Sequence, residues 1–466
     1  MAKKKRNYKL PEPLICDVTR IENGVTMELV KEFIKLHEER LPRYEYLENL
    51  YKGFHDIYNE PEKPSWKPDN RLVVNFPRYI VDTFIGYAYG VPIKVTHLEK
   101  KVDEAIQLFG KDNEITDHEA EMAKICCQYG HGFEFIYQDE ESKTKVTAVT
   151  PHHIFIVYDD TVKNRALFVV RYGYKAGKNG KCGDIYGEIL THNEIARFAK
   201  DKITERLPNQ YGYIPIIEWR LNDERMGLYE PVNGLIETYN KTIAEKANDV
   251  DAFAEAYLAV LGAELDENGV YKIRDNRIIN IFGTNNAKDV LVQFLSKPTA
   301  DETQENLLNR FERLIFQTTM VANISDESFA NATSGVALAY KLQAMSNLAM
   351  TFDRKIEKSL RKRYKIFCSL GTNVSNPDAY QDLSFTMTRN VPKNISDEAN
   401  TAARLEGIIS KETQLKTLSI VDDVKAEIDK MKEEEEEKTD KVLNAAMFRK
   451  ENDKTGGDVI DDKKEE

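Results

Sequence analysis

The chain of 466 residues reads as an α+β protein with more than one packed region. Three observations predict this. Apolar residues recur every three or four positions over residues 26–130 and again in long stretches after 231, which is the period of helices with one buried side. Between 132 and 219 the pattern changes to short β-branched and aromatic runs separated by turn residues. The length also exceeds what one small core organises, while 41% apolar and 31% charged residues describe a globular protein with large solvated faces.

Taken in order, MAKKKRNYKL carries basic residues with no apolar segment behind them, so it reads as a disordered tail and not as a secretory signal. Residues 26–51 predict a helix interrupted near Pro42, followed by YKGFHDI and the Pro-rich loop PEKPSWKP. A helix from about Pro77 to Tyr89 fits, with Pro in its first turn and Gly90 as its stop. Residues 101–130 are amphipathic and helical. FEFIYQ, KVTAVT, HIFIVYD, ALFVVRYGY, DIYGEIL and YIPIIEW predict strands of an antiparallel sheet. A long helix is expected from Pro231 to Leu261, then short strands around YKI, IINIF and VLVQFL. Another helix spans 301–322 with Leu307, Leu308, Phe311, Leu314 and Ile315 on its buried face.

The stretch 335–370 is the most regular of all. Leu338, Leu342, Met345, Ala349, Phe352, Ile356, Leu360 and Phe367 form one stripe, and the helix would extend roughly 50 Å at 1.5 Å per residue. It follows SDESFANATSG, a small polar segment better suited to a loop. Its second half gathers Arg354, Lys355, Lys358, Arg361, Lys362, Arg363 and Lys365. Of these, Arg354, Lys358, Arg361 and Lys365 share a face by three-and-four spacing, and Lys355 and Lys362 fall on another. Such wrapping favours pairing with a neighbouring subunit over one stripe facing nucleic acid, although Lys and Arg suit phosphate contact as well. LSFTMTR reads as a strand, the portion from Ser396 as charged helices, and EEEEEK and DDKKEE as solvated ends.

Signs of catalysis are few. Gly177-Lys178-Asn179-Gly180-Lys181-Cys182 lacks the glycine spacing and the hydroxyl of a phosphate-binding loop and sits between strands, so it reads as a hairpin turn. His131, His152 and His153 lack a nucleophile motif and read as surface or strand-edge histidines. No isolated carboxylate pair in an apolar setting supports acid–base chemistry. The five cysteines (Cys16, Cys126, Cys127, Cys182, Cys368) have no zinc or redox spacing and read as small buried hydrophobes. Neither a cofactor nor a metal is expected. No window is apolar enough to cross a membrane. A net charge of −12 argues against a DNA-coating protein, but not against one that lets DNA pass. The helix at 231–261 offers Glu245, Asp249, Asp251 and Glu255, which would repel phosphates if it lined a pore.

Several segments together, from about residue 20 to 435, resemble the portal proteins of tailed bacteriophages, in the group of long, non-contractile-tailed phages of Gram-positive hosts. They are YKGFHDI, NRLVVNFPRYIVDTFIGYAYGVPI, PHHIFIVYDD, YIPIIEWRLN, GLIETYNKTIAEKANDVDAFAEAYLAVLG and TSGVALAYKLQAMSNLAMTFDRKIEKSLRKRY, in that order. The resemblance implies a ring-forming subunit with wing, stem, clip and crown regions. After a tail at 1–20, the wing would span 21–228, β-rich from 132, with a returning strand in 371–395. Stem helices at 229–261 and 301–322 would flank a clip at 262–300. A tunnel loop at 323–336 would lead into a long kinked helix at 337–370, then crown helices at 396–445 and an acidic tail at 446–466.

The same resemblance implies a ring, usually a dodecamer, at one capsid vertex of the virion, assembled in the host cytoplasm. Double-stranded DNA would pass through it without sequence specificity. Its partners would be the terminase large subunit that supplies the ATPase, a head-completion or adaptor protein, and the major capsid and scaffolding proteins. Asn323, Ser325, Asp326, Asn331, Thr333 and Ser334 would border the narrowest part of the bore, where short polar side chains suit sliding contact. Glu264, Asp266, Lys272, Arg274, Asp275 and Arg277 would dock motor and adaptor. Two other readings use the residues differently. Acid-rich composition would also suit a metal-dependent nucleic-acid-processing enzyme, and the spacing in 338–367 a scaffolding or coiled-coil interaction protein, although the region 132–219 argues against the latter.

Overall fold

The computed structural model describes residues 11–64, 67–176, 182–254, 257–261, 291–295, 301–324, 335–391, 395–418, 420–421, 424–425 and 427–438. They fall into two compact units, one of 1–331 with 339–390 and one of 332–338 with 391–466.

In the first unit, β1 (Leu14–Cys16) precedes α1 (Met27–Glu38) and α2 (Leu41–Lys52). The Thr26 hydroxyl caps α1 by accepting from the Leu29 N–H, and Pro42 sits in the first turn of α2, where its missing N–H costs nothing. The expected break at Pro42 is thus a new helix start. Next come α3 (Phe76–Tyr89), β2 (Lys94–Thr96), α4 (Lys100–Asp112) and α5 (Ile115–Tyr129). Gly90 does end α3, but in the ordinary right-handed region. Glycine is needed there because a Cβ would lie 2.3 Å from the Gly86 carbonyl oxygen.

The strand-rich region holds β3 (His131–Gln138), β4 (Thr144–Val149), β5 (Ile154–Asp159), β6 (Ala166–Ala176), β7 (Cys182–Leu190), β8 (Glu194–Ala199), β9 (Lys202–Pro208) and β10 (Ile216–Arg220). These strands form two sheets instead of the single one expected. One has the order β1-β5-β6-β7-β8-β9, antiparallel except that β1 runs parallel to β5, and the other the order β10-β3-β4. Alternation along the strands explains the layering. Phe155, Val157, Phe168 and Val170 face α1 through Val30, Phe33 and Ile34. Ile154, Ile156, Val169 and Leu190 pack with Phe133, Ile214 and Ile216 of the smaller sheet and the segment leading into it. β6 and β7 pair antiparallel up to Ala176 and Cys182, and the expected hairpin turn at 177–181 lies outside the described residues.

After β10 the chain forms α6 (Asn233–Ala254), then β11 (Tyr257–Leu261) paired antiparallel with β12 (Leu291–Leu295). The helix therefore ends seven residues before the expected Leu261, because Tyr-Leu-Ala-Val-Leu finds a strand partner in Leu-Val-Gln-Phe-Leu. α7 (Asp301–Thr319) buries Leu308, Ile315 and Phe316, whereas Leu307, expected on the buried face, is exposed. α8 (Gly335–Cys368) is a single 34-residue helix. Its stripe is buried from Leu342 through Met345, Ala349, Phe352, Ile356 and Leu360 to Phe367, and its last turns join α4 in a core of Val102, Ile106, Phe109, Tyr364 and Phe367. β13 (Ser384–Thr386) pairs antiparallel with β2 within the first unit.

The second unit contains α9 (Ile395–Arg404) and α10 (Lys411–Leu415), capped by Ser410, with Ala402 and Leu415 buried. The Gln414 side chain donates to the Ala402 carbonyl at 2.8 Å, and residues 427–438 are helical and exposed or half-buried.

Candidate functional site: the long helix and its anchors

α8 is fixed to the rest of its unit by polar groups on one line, four residues apart. Lys355 reaches Asp223 (2.6 Å), the Ser359 hydroxyl donates to the Glu218 carbonyl oxygen (3.4 Å), and Arg363 enters the core. Two residues before Lys355, on the opposite side of the helix, Asp353 accepts from the Tyr89 hydroxyl (3.0 Å) and pairs with Arg389. The rungs Lys355, Ser359 and Arg363 lie beside the apolar stripe, as spacing by fours on a helix requires.

Arg363 is the deepest of them. Its guanidinium is fully buried and donates twice to Glu134 Oε1 (2.9 and 2.6 Å) and once to Glu119 Oε1 (2.5 Å), 5.1 Å from the centre of the Trp219 ring. Glu134 also binds His118 Nε2 (2.7 Å) and accepts from Trp219 Nε1 (3.3 Å). Burial works against its ionised form, but the Arg363 charge and the His118 and Arg363 hydrogen bonds outweigh burial and hold it down at about 2. At Glu119 burial prevails over Arg363 and raises the carboxyl. The Arg363 charge is thus balanced mainly by Glu134.

A third buried carboxylate lies on the strand next to that of Glu134. Glu218 accepts from Arg225 (2.6 and 3.0 Å), His131 Nδ1 (2.9 Å) and the Tyr158 hydroxyl (2.7 Å). Despite burial it is held well below the ordinary carboxylate range by the His131 hydrogen bond and the Arg225 charge. His131 is pushed down by burial, against the pull of Glu218, and its Nε2 contacts the Tyr44 hydroxyl at 3.0 Å. Its expected place at the surface or a strand edge is therefore corrected: His131 is buried, at the start of the central strand of the smaller sheet. His153 is exposed, and His152, half-buried, stands 3.4 Å from Glu48. The expectation of no isolated carboxylate pair in an apolar setting is corrected too: Glu119 and Glu134 are buried together around Arg363, and Glu218 is buried as well. Each is tied to an arginine, an arrangement that holds elements together.

α6 is braced differently. Residues 55–64 and 67–74 form a strap tied to it: His55 and the Asp56 N–H bind Glu237, the Val74 N–H donates to Asn240 (2.8 Å), and the Asn70 N–H donates to Asn248 (2.6 Å). Lys63 pairs with Glu245 (3.0 Å), and Asn70 Nδ2 donates to Asp251 (2.5 Å). Glu245 and Asp251, singled out as possible pore acids, thus hold this strap. Glu255 lies outside the described residues.

Of the residues expected at the bore, Asn323 donates to Glu312 (2.8 Å), and the next N–H, of Ile324, donates to the Tyr79 hydroxyl (3.1 Å). The entry to the loop is therefore pinned to α3 and α7. Ser325, Asp326, Asn331, Thr333 and Ser334 lie outside the described residues, as do Glu264, Asp266, Lys272, Arg274, Asp275 and Arg277. The basic face divides. Arg361 pairs with Glu357 (2.8 Å) and covers the Phe385 ring, and Lys365 sits 4.6 Å over Tyr213, so both serve their own subunit. Arg354 and Lys358 remain exposed, together with Lys362. Sequence reasoning missed Glu119, Glu134, Glu218 and Arg225, and nothing in their local pattern marks them. Only the excess of arginine in an otherwise amphipathic helix hints that one of them turns inward.

Among the described residues, no helix is long and apolar enough to cross a membrane. The chain matches the family model described as "Phage portal protein, SPP1 Gp6-like" over residues 30–441. It is 21% identical over 414 residues to the portal protein of Bacillus phage SPP1, covering 83% of this chain and 80% of that one. It is 23% identical over 403 residues to the portal protein of Clostridium phage phiCD119, covering 79% and 85%. A solved structure of the neck of an empty GTA particle, computed with C6 symmetry, is similar with a TM-score of 0.43 at 12% identity, over 73% of this chain and 89% of that one. With the family model spanning nearly the whole length, this chain belongs to the phage portal protein family.

Proposed function

We propose that this chain is the subunit of a closed ring at one capsid vertex, through which double-stranded DNA enters during packaging and leaves at ejection. The observation that supports this best is the family match across residues 30–441, which spans the strand-rich region and the long helix together. A head-to-tail ring needs two different surfaces on each subunit, and a long helix anchored on one line leaves other faces free for a neighbour. Residues 325–334 would line the bore between the anchor at Asn323–Ile324 and the start of α8. Residues 262–300, which include β12, the partner of β11, would form the clip that docks the terminase motor and the head-completion or adaptor protein. The ring is a conduit and not an enzyme, and the pumping is done by the motor.

Light scattering on the purified full-length chain over a range of concentrations tests this reading. A stable species of about twelve chains is expected, given the symmetry usual in the family. A monomer persisting at high concentration would overturn it. A metal-dependent nuclease would need carboxylates converging on an open cleft. The buried carboxylates described above are each tied to arginine, and this favours the conduit.

A further inference from the structure

Arg354, Lys358 and Lys362 stand one residue before the inward line of Lys355, Ser359 and Arg363, which places them about 100° around the helix. All three are exposed, and among the described residues none has a carboxylate partner. The acids within reach are taken. Asp223 is bound by Lys355 (2.6 Å) and Arg220 (3.9 Å), and Glu357 by Arg361. The cations also crowd one another: although the Lys362 side chain reaches solvent, its ammonium lies close enough to the protein that burial lowers it first, then Arg220 and Lys358, against the pull of Glu218. A row of three cations rising about 12 Å along a helix, none of them in a close ion pair among the described residues and with only Asp223 and Glu218, both already bound by other cations, acting on it from a distance, is an incomplete electrostatic surface.

The same compact unit carries a complement. On α5 and the residue before it, Glu114, Asp117 and Glu121 are exposed at spacings of three and four, rising about 10 Å. Among the described residues Glu114 and Asp117 have no cation partner, and Glu121 has only the surface contact with Lys124 (3.2 Å). Arg363 occupies Glu119 from within the fold, so the acidic row points away from α8 of its own chain. Two rows of similar length and opposite sign, on different faces of one unit, are what a head-to-tail contact between identical subunits requires.

We propose that the Arg354–Lys358–Lys362 row of one copy docks on the Glu114–Asp117–Glu121 row of the next and sets the register of neighbouring subunits. This rests on the ring reading above. A net charge of −12 favours an acidic surface of a second copy over nucleic acid as occupant, because a phosphate-gripping row would also slow passage of DNA.

Charge reversal in the full-length chain tests it. Arg354→Glu/Lys358→Glu/Lys362→Glu and, separately, Glu114→Lys/Asp117→Lys/Glu121→Lys should each raise the concentration for half-assembly about tenfold or more, read by mass photometry. Combining all six should bring it back to within about threefold of the unmodified chain. The milder Arg354→Gln/Lys358→Gln/Lys362→Gln should shift assembly in the same direction, which guards against misfolding of the reversed variants. Unchanged assembly in either reversed set, or no rescue in the combination, overturns the pairing while leaving the ring intact. Normal rings that hold duplex DNA less well would overturn it in favour of a nucleic-acid contact. An unmodified chain that forms no ring at all would instead overturn the reading beneath it.

Discussion

Replacing Arg363 by Met keeps most of the volume and removes the charge that two buried carboxylates share. Glu134 is fully buried and Glu119 nearly so, and neither can recover its lost hydrogen bonds from solvent. Holding Glu134 at about 2 instead of the ordinary 4.5 corresponds to about 3 kcal/mol in favour of its ionised form at neutral pH. Buried pairs broken from one side typically cost about 3–5 kcal/mol, so the two scales agree. The sign with pH follows from the same value. A folded-state pKa depressed below the unfolded one gives stability that is complete above about 4.5 and is lost as pH falls from there towards 2. In the variant Glu134 has lost the charge that kept it ionised, so it takes up a proton more readily. The gap between the two proteins should therefore be widest at pH 7 and narrow towards pH 4. Urea unfolding followed by circular dichroism at pH 7, 5.5 and 4 measures it, and Arg363→Met/Glu134→Gln should recover a substantial part of the loss. A change below about 1 kcal/mol, or one equal at all three pH values, would refute the assignment of Arg363 as the charged centre of this core.

Other perturbations have equally definite outcomes. Asn240→Ala and Asn248→Ala should each cost about 1–3 kcal/mol, because each leaves a backbone N–H of the strap without its acceptor. Hydrogen exchange at Asn70 and Val74 should accelerate in the matching variant, while Glu245→Ala, losing a surface pair, should change stability by less than about 1 kcal/mol. Gly130→Ala should lower the melting temperature markedly, since Gly130 has a φ of 87° and an added Cβ would lie 2.1 Å from the Arg225 carbonyl oxygen. Cys126 and Cys127 are buried with thiols pushed up by that burial, so a thiol reagent should label them in the native protein only on the timescale of unfolding.

Where a pattern is local, it was legible in advance. The stripe from Leu342 to Phe367 repeats every three or four residues over seven turns, and the break at Pro42 follows from a single-residue backbone rule. What depends on distant partners was not. Arg363 looks like any other cation of its cluster, and only Glu134 and Glu119, 229 and 244 positions away, make it a core residue. β9 was invisible because Lys-Ile-Thr-Glu-Arg-Leu-Pro is an edge strand with its charges in solvent, which leaves almost no alternation to read. The end of α6 was misplaced because Tyr257–Leu261 suits helix or strand equally until its pairing with Leu291–Leu295 decides. The split of the basic face was equally hidden. Spacing groups Arg354 with Arg361 and Lys365, but Phe385 and Tyr213 draw the last two away.

Electron cryomicroscopy of the purified assembly, solved without imposed symmetry, bears most directly on what this chain does. The account predicts an annulus of repeated copies with residues 325–334 bordering its narrowest axial opening. A compact single-copy particle, or a ring in which those residues are enclosed within each subunit away from the axis, would contradict it.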